Sequence, residues 1–257
     1  MGYTPDSQIE LKSSDEVKKL REAGKLLATI VNKLIQQIKP GVITKSLDTI
    51  AYQLILESNA QPSFLGYRGF PATLCTSINE EIVHGIPSER KLKSGDLLSL
   101  DMGLSKDGFY SDMAVTVPVG DVREDSIKLI EVTQKALHIG IENMCLGNRL
   151  GDISSSIQRY VESFGYSVVR EYSGHGIGRL MHEPPQVLNY GKSGTGPRLK
   201  VGMVFAIEPM VNEGDWKTKV LDDEWTVVTL DGSRSAHFEH TVALTENGPE
   251  ILTLLPN

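Results

Sequence analysis

The sequence predicts an α+β fold in which two related halves close around a set of acidic side chains. Three observations lead there. A helix pair followed by a strand-rich run occurs twice along the chain, short stretches of the first run return in the same order in the second, and carboxylates stand inside strands that are otherwise apolar. The chain has 257 residues, 40% of them hydrophobic and 23% charged, enough for the core of one large domain and too apolar for wholesale disorder.

The first helix opens at Ser13, which with Glu16 forms a capping-box signature. Val17, Leu20, Leu27, Val31, Leu34 and Ile38 then follow at helical spacing until Pro40-Gly41 stops the run. A second helix, from about Lys45 to Asn59, carries Leu47, Ile50, Ala51, Leu54 and Ile55 on one face. Leu97 to Gly103 and Phe109 to Pro118 read as strands rich in apolar and β-branched residues, joined through Ser105-Lys106-Asp107-Gly108. Helices return from about Glu124 to Met144 and, after the Leu146-Gly147 break, from about Asp152 to Phe164 with Ile153, Ile157 and Val161.

The second half echoes the first. Leu47, Ala51 and Ile55 have the spacing of Ile153, Ile157 and Val161, and His84-Gly85-Ile86-Pro87 is matched by His175-Gly176-Ile177-Gly178. Leu92-Lys93-Ser94-Gly95 leads to Asp101 as Leu199-Lys200-Val201-Gly202 leads, at the same distance, to Glu208. Asp112-Met113-Ala114-Val115-Thr116-Val117 resembles Glu239-His240-Thr241-Val242-Ala243-Leu244. Four ordered matches favour a duplication over chance. The expectation is a single domain over 1–257 with an internal repeat, about 13–120 and about 124–252, related by a pseudo-twofold axis.

Charge and composition remove several function classes. A net charge of −7 argues against the basic stripe that a nucleic-acid surface needs. Only Cys75 and Cys145 are present, too few for a disulfide framework, and a reducing compartment fits. No apolar run reaches the ~18 residues that span a bilayer. The opening MGYTPDSQIE is too polar for a signal peptide, and Met1-Gly2 is not followed by the Ser or Thr that myristoylation requires at position 6, where Asp6 stands. A cytoplasmic protein without a membrane partner is expected.

The acidic residues then ask for an explanation. If Lys106 and Asp107 are the two turn residues, Asp101 falls directly opposite Asp112, with Cβ atoms about 4.5–5.5 Å apart on one face. Their neighbours Leu98, Leu100, Met102, Met113 and Val115 are apolar. Like charges facing each other there are destabilising unless protonated or neutralised, and a metal ion resolves the conflict. Glu208 in VFAIEPM and Glu239 in AHFEHTV supply a matching pair in the second half, and His175 adds a nitrogen ligand. Four carboxylates balance two divalent cations. Oxygen-rich ligation with one imidazole and no thiolate suits Mn, Fe, Co or Zn and does not suit a closed structural zinc site. Two such ions about 3.5–4 Å apart can hold a nucleophilic hydroxide and polarise a carbonyl, which is the chemistry of metal-assisted hydrolysis. Two other motifs fail on local grounds. His182-Glu183 runs into Pro184-Pro185, so no HExxH helix forms, and Gly174, Gly176 and Gly178 have the wrong spacing for a dinucleotide loop.

LDMG, YSDMAVT, GHGIG, AIEPM and HFEHTVA, taken together and in order, resemble the motifs of type I methionine aminopeptidases over about residues 12–252. The resemblance implies the pita-bread fold around a dinuclear centre, with Asp101 chelating one metal, His175 and Glu208 holding the other, and Asp112 and Glu239 bridging them. It implies that His84 and His182 contact the substrate as catalytic groups, where an imidazole can donate to the carbonyl oxygen or the leaving nitrogen. Glu208 or a bridging carboxylate takes the water proton. Tyr67, Phe70, Cys75 and Trp225 are implied to form the apolar side-chain pocket. Phe64 and Met181 sit where family members differ, Met181 replacing a common aromatic. A monovalent cation is implied near Asn79 and Ser235. The activity implied is removal of the initiator methionine from nascent chains when the second residue is small, by a monomer that meets nascent N-termini and the ribosome. Prolidases and proline-specific aminopeptidases share fold and ligands but carry a large N-terminal domain, and only about a dozen residues precede the first helix here. Type II methionine enzymes carry an insertion between the regions of His182 and Glu208 that this sequence lacks. A pita-bread binding module that had lost catalysis would lack the five ligands.

Overall fold

In the computed structural model, residues 9–254 are described, and the Met1-Gly2 motif with most of the polar opening stretch lies outside them. Two helices come first, α1 (Ser14–Ile35) and α2 (Thr44–Glu57). Five strands follow: β1 (Gln61–Pro62), β2 (Leu74–Ile78), β3 (Glu81–Val83), β4 (Leu97–Lys106) and β5 (Phe109–Pro118). Then come α3 (Glu124–Glu142) and α4 (Leu150–Glu162). The rest is strand and loop: β6 (Ser167–Val168), β7 (Gly174–Gly176), β8 (Glu183–Val187), β9 (Val204–Ile207), β10 (Met210–Asn212), β11 (Thr218–Val220), β12 (Val227–Thr229), β13 (Ser235–His237), β14 (Glu239–Thr245) and β15 (Gly248–Ile251).

Each helix forms for reasons visible in its sequence. The Ser13 hydroxyl accepts from the Glu16 amide at 3.3 Å and the Glu16 carboxylate accepts from the Ser13 amide at 2.8 Å, closing the capping box of α1. Leu20, Leu27 and Leu34 of that helix are fully buried. The helix ends at Ile35, three residues before the apolar periodicity does, because the Gln37 and Ile38 amides reach back only to Leu34 and Ile35 in tight turns. The fourth helix starts at Leu150 rather than Asp152, since the Asp152 carboxylate accepts the Arg149 amide at 2.7 Å and caps the turn before it. Its partner α3 approaches it closely at Gly140, where a Cβ would lie 2.7 Å from Ile157 Cδ1.

The principal sheet has nine strands, in the order β1-β4-β5-β14-β9-β7-β8, with β2 added to β4 and β15 to β14. Every pairing in it is antiparallel. Period-two alternation gives it two faces. Leu100, Met102, Met113, Val115, Phe205, Ile207, Val242 and Leu244 point to the side where all four helices pack, and join one apolar core with Leu27, Leu47, Leu137 and Ile157. Asp101, Asp112, Ala206, Glu239 and Thr241 point to the other. The architecture is the α+β one that the sequence predicts.

The β4–β5 register corrects one expectation. Lys106 pairs with Phe109, Gly103 with Asp112, and Asp101 with Ala114. Asp101 and Asp112 are therefore diagonal neighbours on one face and not directly opposite. The turn residues are Asp107 and Gly108, both at positive φ (50° and 80°), because Asp-Gly is the pair that a two-residue type I′ hairpin accommodates and Lys-Asp is not.

Candidate metal centre

Register alone assembles the acidic cluster. Asp101, Ala114 and Glu239 lie in a row across β4, β5 and β14. One step along, Gly103 faces Asp112, and Thr241 of β14 faces Ala206, which faces His175 of β7. Glu208 follows Ile207, which faces His240, so the chain beyond β9 carries it toward Glu239 and the first row. Between the ligand types stand small residues, Ala114, Ala206 and Gly103, so nothing bulky separates the carboxylates. A Cβ at Gly103 would lie 3.0 Å from Phe64 Cε1 and 3.1 Å from Met181 Cε, which shows how closely the cavity wall leans on that strand.

Backbone and ring contacts fix the orientations. The Thr241 hydroxyl accepts the Asp112 amide at 3.0 Å and donates to the Asp112 carbonyl at 2.8 Å, locking β5 to β14 at the ligand. His175 Nδ1 lies 2.8 Å from the Gly176 carbonyl and must carry the proton, which leaves the Nε2 lone pair free. That Nε2 is 3.8 Å from Asp112 Oδ2 and 3.7 Å from Glu208 Oε1. Ligand atoms of Asp112, His175 and Glu239 all lie within 4.8 Å of one another.

The electrostatics of this cluster are unfavourable for the chain by itself. Burial, and next the Asp112 carboxylate, push Asp101 well above the usual carboxylate range. Burial raises Asp112 to about 7. Glu208 and Glu239 are also pushed well up, first by burial and then by their acidic neighbours. Burial, then the His182 ring, lowers His175 to about 3, so its nitrogen is a free base at neutral pH. Asp101 Oδ1 and Glu239 Oε1 are buried without a hydrogen-bond partner. Orphaned, crowded carboxylate oxygens beside a neutral imidazole are the donor set of a divalent cation, so these residues fit the metal that the sequence predicts.

The same cavity, about 170 Å³, gathers the other candidates. Tyr67, Phe70, Cys75, His84, His182 and Trp225 line it together with Asp101, Asp112, His175, Glu208 and Glu239. Phe64 and Met181 line it as well. Phe70 meets Trp225 edge-on at 5.1 Å and Phe64 at 6.4 Å, forming an aromatic corner over the buried Cys75. His84, at φ 60°, stands edge-on to Tyr172 and Trp225. Burial and then His182 lower His84 to about 4, while burial and then Arg68 lower His182. Asn79 and Ser235 lie outside this cavity. The Ser235 amide donates to the Asn79 carbonyl at 2.8 Å, and the Asn79 side chain is bonded to Asp96 and to the Leu97 amide.

Some residues here escaped the sequence reading. Arg68 lines the cavity from a left-handed backbone at φ 51°, which no motif announced. Tyr67, read as apolar wall, brings its hydroxyl within 2.9 Å of His182 Nδ1. Thr241 and His237 flank Glu239 at two-residue spacing, the one signal that could have singled them out.

The profile of metallopeptidase family M24 matches residues 18–246. Methionine aminopeptidase of Clostridium acetobutylicum is 53% identical over 247 residues, 96% of this chain and 99% of that protein. The crystal structure of methionine aminopeptidase from Rickettsia prowazekii aligns with a TM-score of 0.94 at 46% identity, covering 96% of this chain and all of that one (100%). Prolidase from Pyrococcus furiosus aligns with a TM-score of 0.79 at 23% identity, over 98% of this chain and 67% of that one, and shares the fold alone.

Proposed function

The chain belongs to metallopeptidase family M24, and from its likeness to methionine aminopeptidases within that family we propose that it is a type I methionine aminopeptidase, a hydrolase that removes the initiator methionine from nascent proteins whose second residue is small. One observation carries the reading beyond the relatives' names: a single cavity joins an apolar aromatic corner to all five candidate ligands and two histidines.

Asp101, Asp112, His175, Glu208 and Glu239 would hold two divalent ions of the Mn, Fe, Co or Zn class, Asp112 and Glu239 shared between them. Such ions supply Lewis acidity toward the scissile carbonyl and toward water. The chain's own groups do the rest. Phe70, Trp225, Cys75 and the Tyr67 ring enclose an unbranched thioether in apolar surroundings. His84 and His182, neutral because burial holds their pKa values down, each present a ring N–H to the carbonyl oxygen or to the departing amide nitrogen. Glu208, Asp112 or Glu239 accepts the proton of the attacking water. The second residue of the substrate lies between the two histidines and the acidic row, where only a small side chain leaves them within reach. A monovalent cation near Asn79 and Ser235 would rest on backbone oxygens, since the Asn79 side chain is engaged. The partners of this reading are nascent N-termini and the ribosome, and its place is the cytoplasm, where a monomer suffices.

A panel of Met-X peptides, run after each candidate ion is added back to stripped protein, tests this. Gly, Ala and Ser at X should be cut well, and Lys, Leu and Phe hardly at all. Norleucine should replace Met at the first position, because a pocket of this kind discriminates one methylene by only ~1–3 kcal/mol. Rapid cleavage of X-Pro peptides with Met-Ala peptides untouched would refute the assignment in favour of the proline-specific members.

A further inference from the structure

His237 presents an anomaly. The residue is 1% exposed, and neither Nδ1 nor Nε2 has a hydrogen-bond partner. A buried ring nitrogen without a partner is costly, so it calls for a reason. Its backbone is held rigidly: the His237 amide donates to the Thr116 hydroxyl at 2.8 Å, and that hydroxyl donates to the His237 carbonyl at 2.8 Å. Pairing of β13 with β10 fixes it from the other side, His237 facing Met210. Thus clamped, the ring points Nε2 at Glu208 Oε2, 3.7 Å away. The other oxygen of the same carboxylate, Oε1, is 3.7 Å from His175 Nε2. Glu208 is therefore bracketed by two imidazoles, one on each oxygen.

The two rings differ in what they offer. His175 gives its N–H to the Gly176 carbonyl and turns a lone pair inward, as a ligand does. His237 has no such partner, so the N–H of its neutral ring is available to Glu208. We propose that His237 is a positioning residue: its Nε2–H holds Glu208 Oε2 and keeps Oε1 turned toward His175, the residue with which Glu208 would hold a divalent ion. It acts through Glu208 and touches neither substrate nor ion. The proposal rests on the metal reading above, with Glu208 as a ligand. Outer partners of ligating groups typically change metal affinity by ~10–100-fold when lost, because the ligand must then be oriented by the ion alone.

The test compares His237→Phe, which keeps the ring and its burial without the N–H, with His237→Gln, whose amide can donate to the same oxygen. Mn²⁺ is titrated calorimetrically into each stripped protein, and the metal-free melting temperature reports on folding. His237→Phe should bind Mn²⁺ ~10–100-fold more weakly than wild type, and His237→Gln should recover most of the loss. Should His237→Phe not fold, His237→Leu provides the same contrast. Wild-type affinity in a folded His237→Phe protein would overturn the proposal, as would a His237→Gln protein no better than His237→Phe. Failure of the metal reading would look different, because wild-type protein would then take up no Mn²⁺ and the proposal would fall with it.

Discussion

His84 and His182 both line the cavity and are held by different means. His182 Nδ1 lies 2.9 Å from the Tyr67 hydroxyl, and the two rings stack with centroids 5.2 Å apart. A phenol is the better donor of the pair, so Tyr67 fixes the tautomer in which His182 Nε2 carries its proton. His84 has only ring edges against it, from Tyr172 and Trp225. His84→Ala and His182→Ala should each lower kcat by ~10²-fold or more, with bound metal retained. Loss of metal in step with loss of rate would show that ligand and acid have been exchanged. Tyr67→Phe should lower kcat less and leave KM for Met-Ala peptides near wild type, because the wall survives while the hydroxyl does not. Residues of this kind divide by how they can be read. Asp101, Glu208 and Glu239 stand out in sequence because charge inside an apolar strand has few explanations. Tyr67 and His237 do not, since an aromatic or a histidine among apolar neighbours fits a core equally well until its hydroxyl or ring nitrogen is seen facing another group.

At the scale of strands, the candidate ligand set is a product of register. Ala114 sits between Asp101 and Glu239 in the row across three strands and is 1% exposed. Its methyl leaves the space where the two carboxylates converge. Ala114→Leu should abolish divalent-ion uptake, measured by titration of stripped protein, while near-ultraviolet circular dichroism still reports a folded chain. Normal uptake by that variant would mean that the row does not converge on an ion. The register itself hangs on Asp107-Gly108. Gly108 has φ 80°, so Gly108→Val should destabilise the protein by at least ~1 kcal/mol in denaturant unfolding. The helices were legible from their apolar spacing, and the existence of the hairpin from two apolar runs around a turn. Its register was not, because Ser105-Lys106-Asp107-Gly108 allows the turn to be centred in more than one place, and a shift of two residues keeps every side chain on its face.

Over the whole molecule, the crowded carboxylates make stability depend on pH in a way that metal should cancel. Asp101, Glu208 and Glu239 stay protonated in the folded metal-free chain well above the pH at which they ionise once unfolded, and Asp112 does so to about 7. Raised carboxyl values stabilise the folded state at low pH and lose that contribution as pH rises, by about 1.4 kcal/mol per pH unit for each proton retained. The buried histidines act oppositely, His175 and His237 at about 3 and His84 and His240 at about 4, but only below about 6.5, where an unfolded histidine takes up its proton. Between pH 6.5 and 8 that opposition fades as the unfolded histidines lose their protons, and the carboxyl contribution prevails. The melting temperature of stripped protein should fall across that window, and saturating Mn²⁺ should flatten the fall. A flat profile without metal would mean that the carboxylates are not crowded as described. The order of strands has a further consequence, which concerns time. Among the described strands only β15 follows β14 in the chain, yet β14 lies between β5 and β9 inside the sheet. A nascent chain that has emerged only as far as His237 has bare edges on both neighbours and four of the five acidic-centre residues, with the row that ends in Glu239 still open. Such a chain lacks Glu239, so the acidic cluster closes only once β14 has been made and has entered between its two neighbours.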